Sequence, residues 1–461
     1  MSAQELVLGN LWRLRLAAAG SALEHLALMR RWAALDATEV ASLQRERLER
    51  LLAFAHAHVP YYRRLLERYG AVVGGKVNVE RFTDLPLLDK PTIRSNWDEL
   101  CSDDCDRRRT RINQSGGSTG EPVKLIQDAD YQDWNNAVKL FFEERAGYRL
   151  GERVIELWGS ERDIMGARRS LWSRAGQRVR NKRFLNTFRM TPATMRAYVE
   201  EINAFRPSLI VAYAESIFRI ARFARQEGLE LFTPKTIFTS ASTLHAPMRA
   251  AIEEVFGTRV YDRYGSREVG VVACETPGSS GPVVSAPSHY VEIVRPDGTV
   301  AEPGETGEIV VTPLTNFAMP LLRYRIGDMG SWSRRDDPGA IAWPTLARIS
   351  GRVSDTFFTR DGTQVFGEFF THLFYERDWV EMFQVVQEEL DLVVIRIKPG
   401  PRAPAGAELE EEVGSLRQQV RLVMGEGCRV EVEFTDEIET TVSGKHRFTI
   451  SKVEAPEVVA H

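Results

Sequence analysis

Four short polar segments of this 461-residue chain carry the side chains best suited to chemistry: Ser115-Gly116-Gly117-Ser118-Thr119-Gly120, Tyr264-Gly265-Ser266-Arg267-Glu268, Tyr324-Arg325-Ile326-Gly327-Asp328 and Ser443-Gly444-Lys445. The first offers three glycines, whose backbone can come close to a polyphosphate, and three hydroxyls that can donate to its oxygens. It lacks the Gly-Lys-Ser/Thr ending of a Walker A loop, which sets it apart from that class of phosphate cradle. The second places an aromatic ring, a glycine bend and a carboxylate directly after an expected strand at Arg259-Val260-Tyr261. The third ends on Asp328 in a Gly-Asp turn, where one carboxylate can accept from two ribose hydroxyls. Each segment alone is ordinary surface chemistry. In this order and at this spacing they make sense if they meet around one nucleotide.

Elements must hold these segments in place. Leu6 to Leu28 reads as an amphipathic helix, because Arg13, Arg15, Glu24 and His25 interrupt its apolar run in the wrong order for a signal peptide. Apolar residues from Leu43 to Ala55 recur at three- and four-residue steps up to Pro60, a second helix. After the Ser/Gly loop a helix over Trp134 to Gly147 alternates with short strands at Val154 to Trp158, Ser208 to Ala212 and Lys235 to Thr239. That alternation builds α/β layers. Beyond Tyr290 the pattern turns β-rich (Tyr290 to Val294, Gly307 to Thr312, Gly330 to Trp332). A final α+β unit begins at Ser354. It has a helix near Glu368 to Tyr375, paired strands at Met382 to Gln387 and Leu392 to Ile397, a helix from Ala407 to Met424 and a strand at Arg429 to Phe434. The expected division is 1–353, a large body, and 354–461, a small mobile one.

Composition narrows the classes. A 43% hydrophobic and 27% charged chain is that of an ordinary globular protein. A formal net charge of −4 gives no reason to expect nucleic acid. Seven cations from Arg168 to Arg183, with no acid among them, form a basic stretch that reads as a solvated face or a docking surface. Four scattered cysteines imply no disulfide framework and fit a reducing, cytoplasmic setting without a membrane span.

Taken together the motifs resemble the adenylate-forming superfamily, and within it the phenylacetate-CoA ligase and CapK-like branch. Val59-Pro60-Tyr61-Tyr62 followed by Asp84-Leu85-Pro86 resembles the opening of those ligases. The resemblance implies a large adenylation domain of α/β layers with a β-subdomain, followed by a small α+β lid. It implies ATP, magnesium and coenzyme A, with Ser115 to Gly120 around the phosphates, Ala241 and Ser242 at the adenine edge and Tyr264 packed on adenine. Gly265 would then lie in the nucleotide site, Ser266 or Arg267 would serve the α-phosphate, Glu268 would hold magnesium, Asp328 the ribose, and Arg352 of Gly351-Arg352-Val353-Ser354-Asp355 the hinge side of the nucleotide. Lys445 would bridge the substrate carboxylate and the α-phosphate, as a carboxylate attacking a polyanion requires. Trp158, Tyr213 and Phe238 are the expected walls of the acyl pocket, for an aryl or related acid.

The chain departs from the pattern at three places. Glu121 stands where a lysine is usual, Arg267 where a hydroxyl precedes the glutamate, and Ser354 where the hinge is acidic. Cys274 and His289 are too few for zinc and read as core residues. The expected activity is carboxylate activation with pyrophosphate release, then transfer to coenzyme A. An amine, hydroxyl or carrier-protein acceptor is the alternative, and a degenerate nucleotide-binding protein a further one. A homodimer is compatible with all three.

Overall fold

The computed structural model describes residues 3–114, 123–158, 181–187, 190–334, 341–352, 356–360, 363–374, 377, 379–438 and 447–453. Ser115 to Gly120, most of the basic stretch, Ser354 and Lys445 therefore lie outside the described residues, and of Arg352 only the backbone is described.

The amino-terminal apolar run is not one helix but two, α1 (Ala3–Ala19) and α2 (Ala22–Trp32), broken at Gly20. A Cβ at Gly20 would run into the Asp133 carboxylate, and the next amide, that of Ser21, donates to the same group at 2.9 Å. Next come α3 (Ala37–His58) and α4 (Pro60–Arg68). Asp36 starts α3 in a full capping box with Glu39, and Pro60 at the first position of α4 ends the preceding helix. A two-strand ribbon, β1 (Val72–Val73) and β2 (Lys76–Val77), leads to α5 (Lys90–Ser95) and α6 (Trp97–Leu100). The hairpin of β3 (Thr110–Gln114) and β4 (Lys124–Asp128) then carries the Ser/Gly segment between its strands. Asp128 ends β4 and caps α7 (Ala129–Arg145) by accepting from the Tyr131 amide at 2.8 Å.

The central sheet has seven strands, built from β5 (Val154–Trp158), β6 (Lys182–Asn186), β7 (Leu209–Tyr213), β8 (Thr236–Ser240), β9 (Val260–Ser266), β10 (Gly270–Cys274) and β11 (Val283–Val284). Their order is β11-β10-β9-β8-β7-β5-β6, with β6, β5, β7, β8 and β9 parallel and the last two antiparallel. Strand alternation sorts the core into two layers. Val154, Leu209, Val211, Phe238 and Tyr261 meet α2 and α7 on one face. Ile155, Leu157, Ile210, Ala212, Ile237 and Val260 meet the helices Pro192–Phe205, Ala214–Glu227 and Ala246–Phe256 on the other. Burial on both faces explains the near-continuous apolar runs of these strands.

A four-stranded sheet follows, β12 (His289–Val294), β13 (Gly307–Pro313), β14 (Tyr324–Trp332) and β15 (Leu346–Arg352), in sequential order. The expected Gly-Asp turn is corrected here. Asp328 lies inside β14, and Gly327 at φ +88° lets the strand bend without ending. Likewise Tyr264 and Gly265 lie within β9 rather than after it, because Gly265 admits β10: a Cβ there would strike the Gly270 carbonyl.

The chain forms two compact units, 1–326 with 330–349, and 327–329 with 350–461. Among the described residues the second holds the ribbon β16 (Thr356–Phe358) and β17 (Gln364–Phe366) and helices Gly367–His372 and Ala407–Met424. Its sheet combines β18 (Val380–Glu389), β19 (Leu392–Pro399), β20 (Arg429–Phe434) and β21 (Thr449–Ser451) in the order β20-β19-β18-β21. Phe357, Phe370, Val385, Ile395, Leu416 and Val420 make its own core.

Candidate active site

Glu268 is the carboxylate around which the larger unit gathers its polar groups. It follows β9 by two residues and is 9% exposed. The ammonium of Lys90 stands 3.8 Å from its Oε1. Lys90 opens α5, which Asp89 caps by accepting from the Thr92 amide at 2.8 Å. The loop before it is stitched to β14: the Leu88 amide donates to the Arg323 carbonyl, and the Arg325 amide to the Leu88 carbonyl, both at 2.9 Å. Lys90 had no role in the sequence reading. Its place just after Asp84-Leu85-Pro86 was the signal that could have found it.

The β3–β4 hairpin is tied to the same turn. Asn113 Nδ2 and Gln127 Nε2 both donate to the Arg267 carbonyl, at 3.0 and 2.9 Å. Tyr131 Oη and Gln127 Nε2 reach the Glu268 carbonyl, each at 3.4 Å. Asn113 and Gln127 are neighbours in the hairpin, with Gln127 Oε1 accepting from Asn113 Nδ2 at 3.1 Å. The strands that deliver the Ser/Gly segment are therefore fixed against Arg267-Glu268 through side chains whose amides both donate and accept. The Arg267 side chain is exposed, and the Glu268 amide donates to Ser266 Oγ at 3.2 Å. Tyr264 is buried in the core that joins α3, β4 and β12.

At the carboxyl ends of the parallel strands, the usual place for a ligand in an open α/β sheet, two of the expected residues are found side by side. Trp158 ends β5 and Tyr213 ends β7, with ring centroids 4.1 Å apart. Ser240 ends β8 and pairs in register with Tyr213. Immediately beyond it Ala241 has φ +74°, a left-handed conformation that costs a residue with a Cβ about 1–2 kcal/mol and collects at functional turns. The Ser242 hydroxyl is buried and finds no hydrogen-bond partner among the described residues. Phe238 stands differently: it is fully buried in the core, with the Arg263 guanidinium 4.9 Å from its ring. It backs the row of Trp158, Tyr213 and Ser240 from below.

Electrostatics beneath this row are unusual. Arg263 donates to Glu143 of α7 at 2.8 Å, both nearly buried. Asp262, on the other face, accepts from Thr239 Oγ1 at 2.8 Å, and burial with the nearby Glu275 carboxylate pushes its carboxyl up to about 7. Arg249 clamps Glu275 at 2.7 and 2.9 Å. His289 is a core residue. Its Nε2 donates to the Val269 carbonyl at 2.7 Å, its Nδ1 meets Ser288 Oγ at 2.9 Å, and burial holds its pKa down at about 4. Burial likewise pushes the Cys274 thiol up to about 12.

Comparison with known proteins follows the same lines. Residues 357–452 match the family described as the CapK C-terminal domain. Protein CapK of Staphylococcus aureus is 24% identical over 91% of this chain and 91% of its own length. The phenylacetate-coenzyme A ligase of Aromatoleum evansii is 24% identical over 90% of this chain and 94% of its own. A solved 2-hydroxyisobutyryl-CoA ligase, in the postadenylation state with an acyl-AMP, superposes with a TM-score of 0.72 at 22% identity, covering 92% of this chain and 91% of that one. The resemblance read from the motifs is thereby borne out, and the α/β fold is that of adenylate-forming CoA ligases.

Proposed function

We propose that this protein is an AMP-forming acid–thiol ligase: it joins a carboxylic acid to ATP as an acyl-adenylate, releases pyrophosphate and passes the acyl group to coenzyme A. The observation that carries the reading is the convergence of Lys90, the β3–β4 hairpin and Glu268, which brings a cation, the two strands that flank the Ser/Gly segment and a carboxylate to one turn. Two near-full-length relatives, one of them named for a CoA ligase activity, support it.

The residues divide the work. Glu268 would hold magnesium, which needs one or two protein carboxylates beside the phosphates themselves and here finds one nearly buried carboxylate with a cation alongside. Bound there, the ion would screen the polyphosphate charge. Lys90 adds a positive charge beside Glu268. Ser115 to Gly120 receive the phosphates, Gly265 to Arg267 flank the α-phosphate, Tyr264 lies at adenine with Ala241 and Ser242, and Asp328 and Arg352 serve the ribose side. A substrate carboxylate oxygen then attacks the α-phosphorus while the bond to pyrophosphate breaks, and Lys445 offsets the repulsion between the two anions. In the second step the thiolate of coenzyme A attacks the acyl carbon, and AMP leaves. Trp158 and Tyr213 wall a flat acyl group, such as an aryl acid.

The acceptor has a second reading, an amine, hydroxyl or carrier thiol, favoured by the match of 357–452 to a CapK domain rather than to a CoA ligase. A cytoplasmic setting fits both readings, and no helix among the described residues is long and apolar enough to cross a membrane. The test is pyrophosphate release across a panel of acids, with and without coenzyme A. Lys445→Ala should lower the rate by about 10²- to 10³-fold. Acid-dependent release that survives this change would sink the assignment of Lys445, and CoA-independent turnover with an amine would move the acceptor.

A further inference from the structure

On the face of the central sheet that ends in Trp158, Tyr213 and Ser240, the described charges around Lys139 are three cations, Lys139 among them, and two anions. α7 crosses this face with two anchors. Asn135 Oδ1 accepts from the Val271 amide at 3.0 Å, and Glu143 accepts from Arg263 at 2.8 Å. Val271 pairs with Gly265, and Arg263 with Ser240, so the helix lies along β9 beside the Tyr213–Ser240 row. Lys139 is one turn from each anchor and hence on the same side of the helix. Its charged neighbours are Arg263 and Glu143, and, on β5 and β6, Glu156 and Lys182. Lys139 therefore sits on the sheet side of α7, among charges of β9, β5 and β6, and β5 is the strand that ends in Trp158.

Four of these five charges are spent. Arg263 pairs with Glu143, and Lys182 with Glu156. Among the described residues no hydrogen bond or ion pair reaches Lys139, which is half-buried. Burial lowers its pKa and Arg263 adds repulsion, against the attraction of Glu143 and Glu156, each of which is already paired with another cation. A cation held out of bulk water with no carboxylate of its own is costly, and an anionic group of a ligand would offset that cost.

We infer that Lys139 is a specificity-determining residue that receives a second anionic group of the acyl substrate, so that the preferred acid is a diacid, one carboxylate adenylated and the other held by this ammonium. The inference rests on the adenylation reading and sharpens its substrate class from an aryl acid to one bearing a second negative charge at its far end. The aromatic pair Trp158–Tyr213 makes flat diacids the first probes.

The full chain is assayed for pyrophosphate release with benzoate, phthalate, isophthalate, terephthalate, the corresponding monomethyl esters, phenylacetate and adipate. At least one diacid should exceed its monoester by about 100-fold in kcat/KM, the scale expected when a buried charge is left unmatched. Lys139→Met and Lys139→Gln should each erase that preference while leaving the monoester rate within about threefold, and Lys139→Arg should keep most of it. Thermal melting with the diacid and no ATP gives a second readout: the wild type should rise and Lys139→Met should not. Mono-acids turned over as well as diacids would overturn the inference and leave the ligase reading standing. A diacid preference that survives both neutral variants would remove Lys139 from it. Silence with every acid, despite measurable ATP binding, would take down both.

Discussion

Replacing Glu292 by Gln tests how the site is braced. Arg323 and Glu292 are each 3% exposed, with Nε to Oε2 at 3.1 Å and Nη2 to Oε1 at 3.0 Å. The same guanidinium donates to the carbonyls of Thr83 and Leu85, and so ties the loop ahead of Lys90 to β12 and β14. Arg323 even adopts φ +50° to reach them, a conformation that costs about 1–2 kcal/mol. Removing one member of a buried pair costs about 3–5 kcal/mol, because the other is left charged and unmatched. The lower end applies here, since two carbonyls still accept from Arg323, so Glu292→Gln should cost about 3 kcal/mol. With a urea slope of about 3 kcal/mol per molar for a body of this size, the unfolding midpoint falls by about 1 M. Arg323→Met should cost at least as much, and combining Arg323→Met with Glu292→Gln should recover about 2 kcal/mol relative to the sum of the single losses. Single losses below about 1 kcal/mol, or strictly additive ones, would refute the idea that this pair holds the loop.

Two further outcomes can be checked. Lys90→Met should lower kcat/KM for ATP by about 10²-fold with little change in melting temperature, and unchanged ATP kinetics would place Lys90 outside the site. Asp262 gives a pH signature. Its carboxyl rises from 3.8 to about 7 on folding, so the folded state holds the proton more tightly, and that advantage is lost as pH climbs through about 7. Asp262→Asn, which stays neutral, should gain stability over the wild type between pH 5 and pH 7, by at most about 3 kcal/mol, and gain no more above pH 7. A difference that stays flat or falls between pH 5 and pH 7 would contradict it.

The layers were legible because both faces of β5, β7 and β8 are buried, which writes short unbroken apolar runs into the chain. The helix Ala407–Met424 and strand Arg429–Phe434 were legible in outline, the helix ends marked by Gly406 and Gly425 and the strand by its alternation of Val430 and Val432 with Glu431 and Glu433. The break at Gly20 was not, since its cause is Asp133 over a hundred residues away. Nor was the strand Thr449–Ser451, too short to show a period, which pairs with Val385 to Gln387. At the site, residue types pointed to Glu268, Trp158 and Tyr213. Lys90, Asn113 and Gln127 act through partners distant in the chain, and a motif read locally cannot contain them.

The hairpin beside Glu268 grips a carbonyl, the oxygen of residue 267, and not a side chain. Main-chain oxygens are the same whatever residue carries them. Position 267 can therefore carry any side chain, here an exposed arginine, without shifting the grip of the β3–β4 hairpin. Asn113 and Gln127 have no such freedom, because each must offer an amide at a fixed reach. Heritable change in this enzyme should thus collect on the outward side chain of 267 and spare the two amides that hold its backbone.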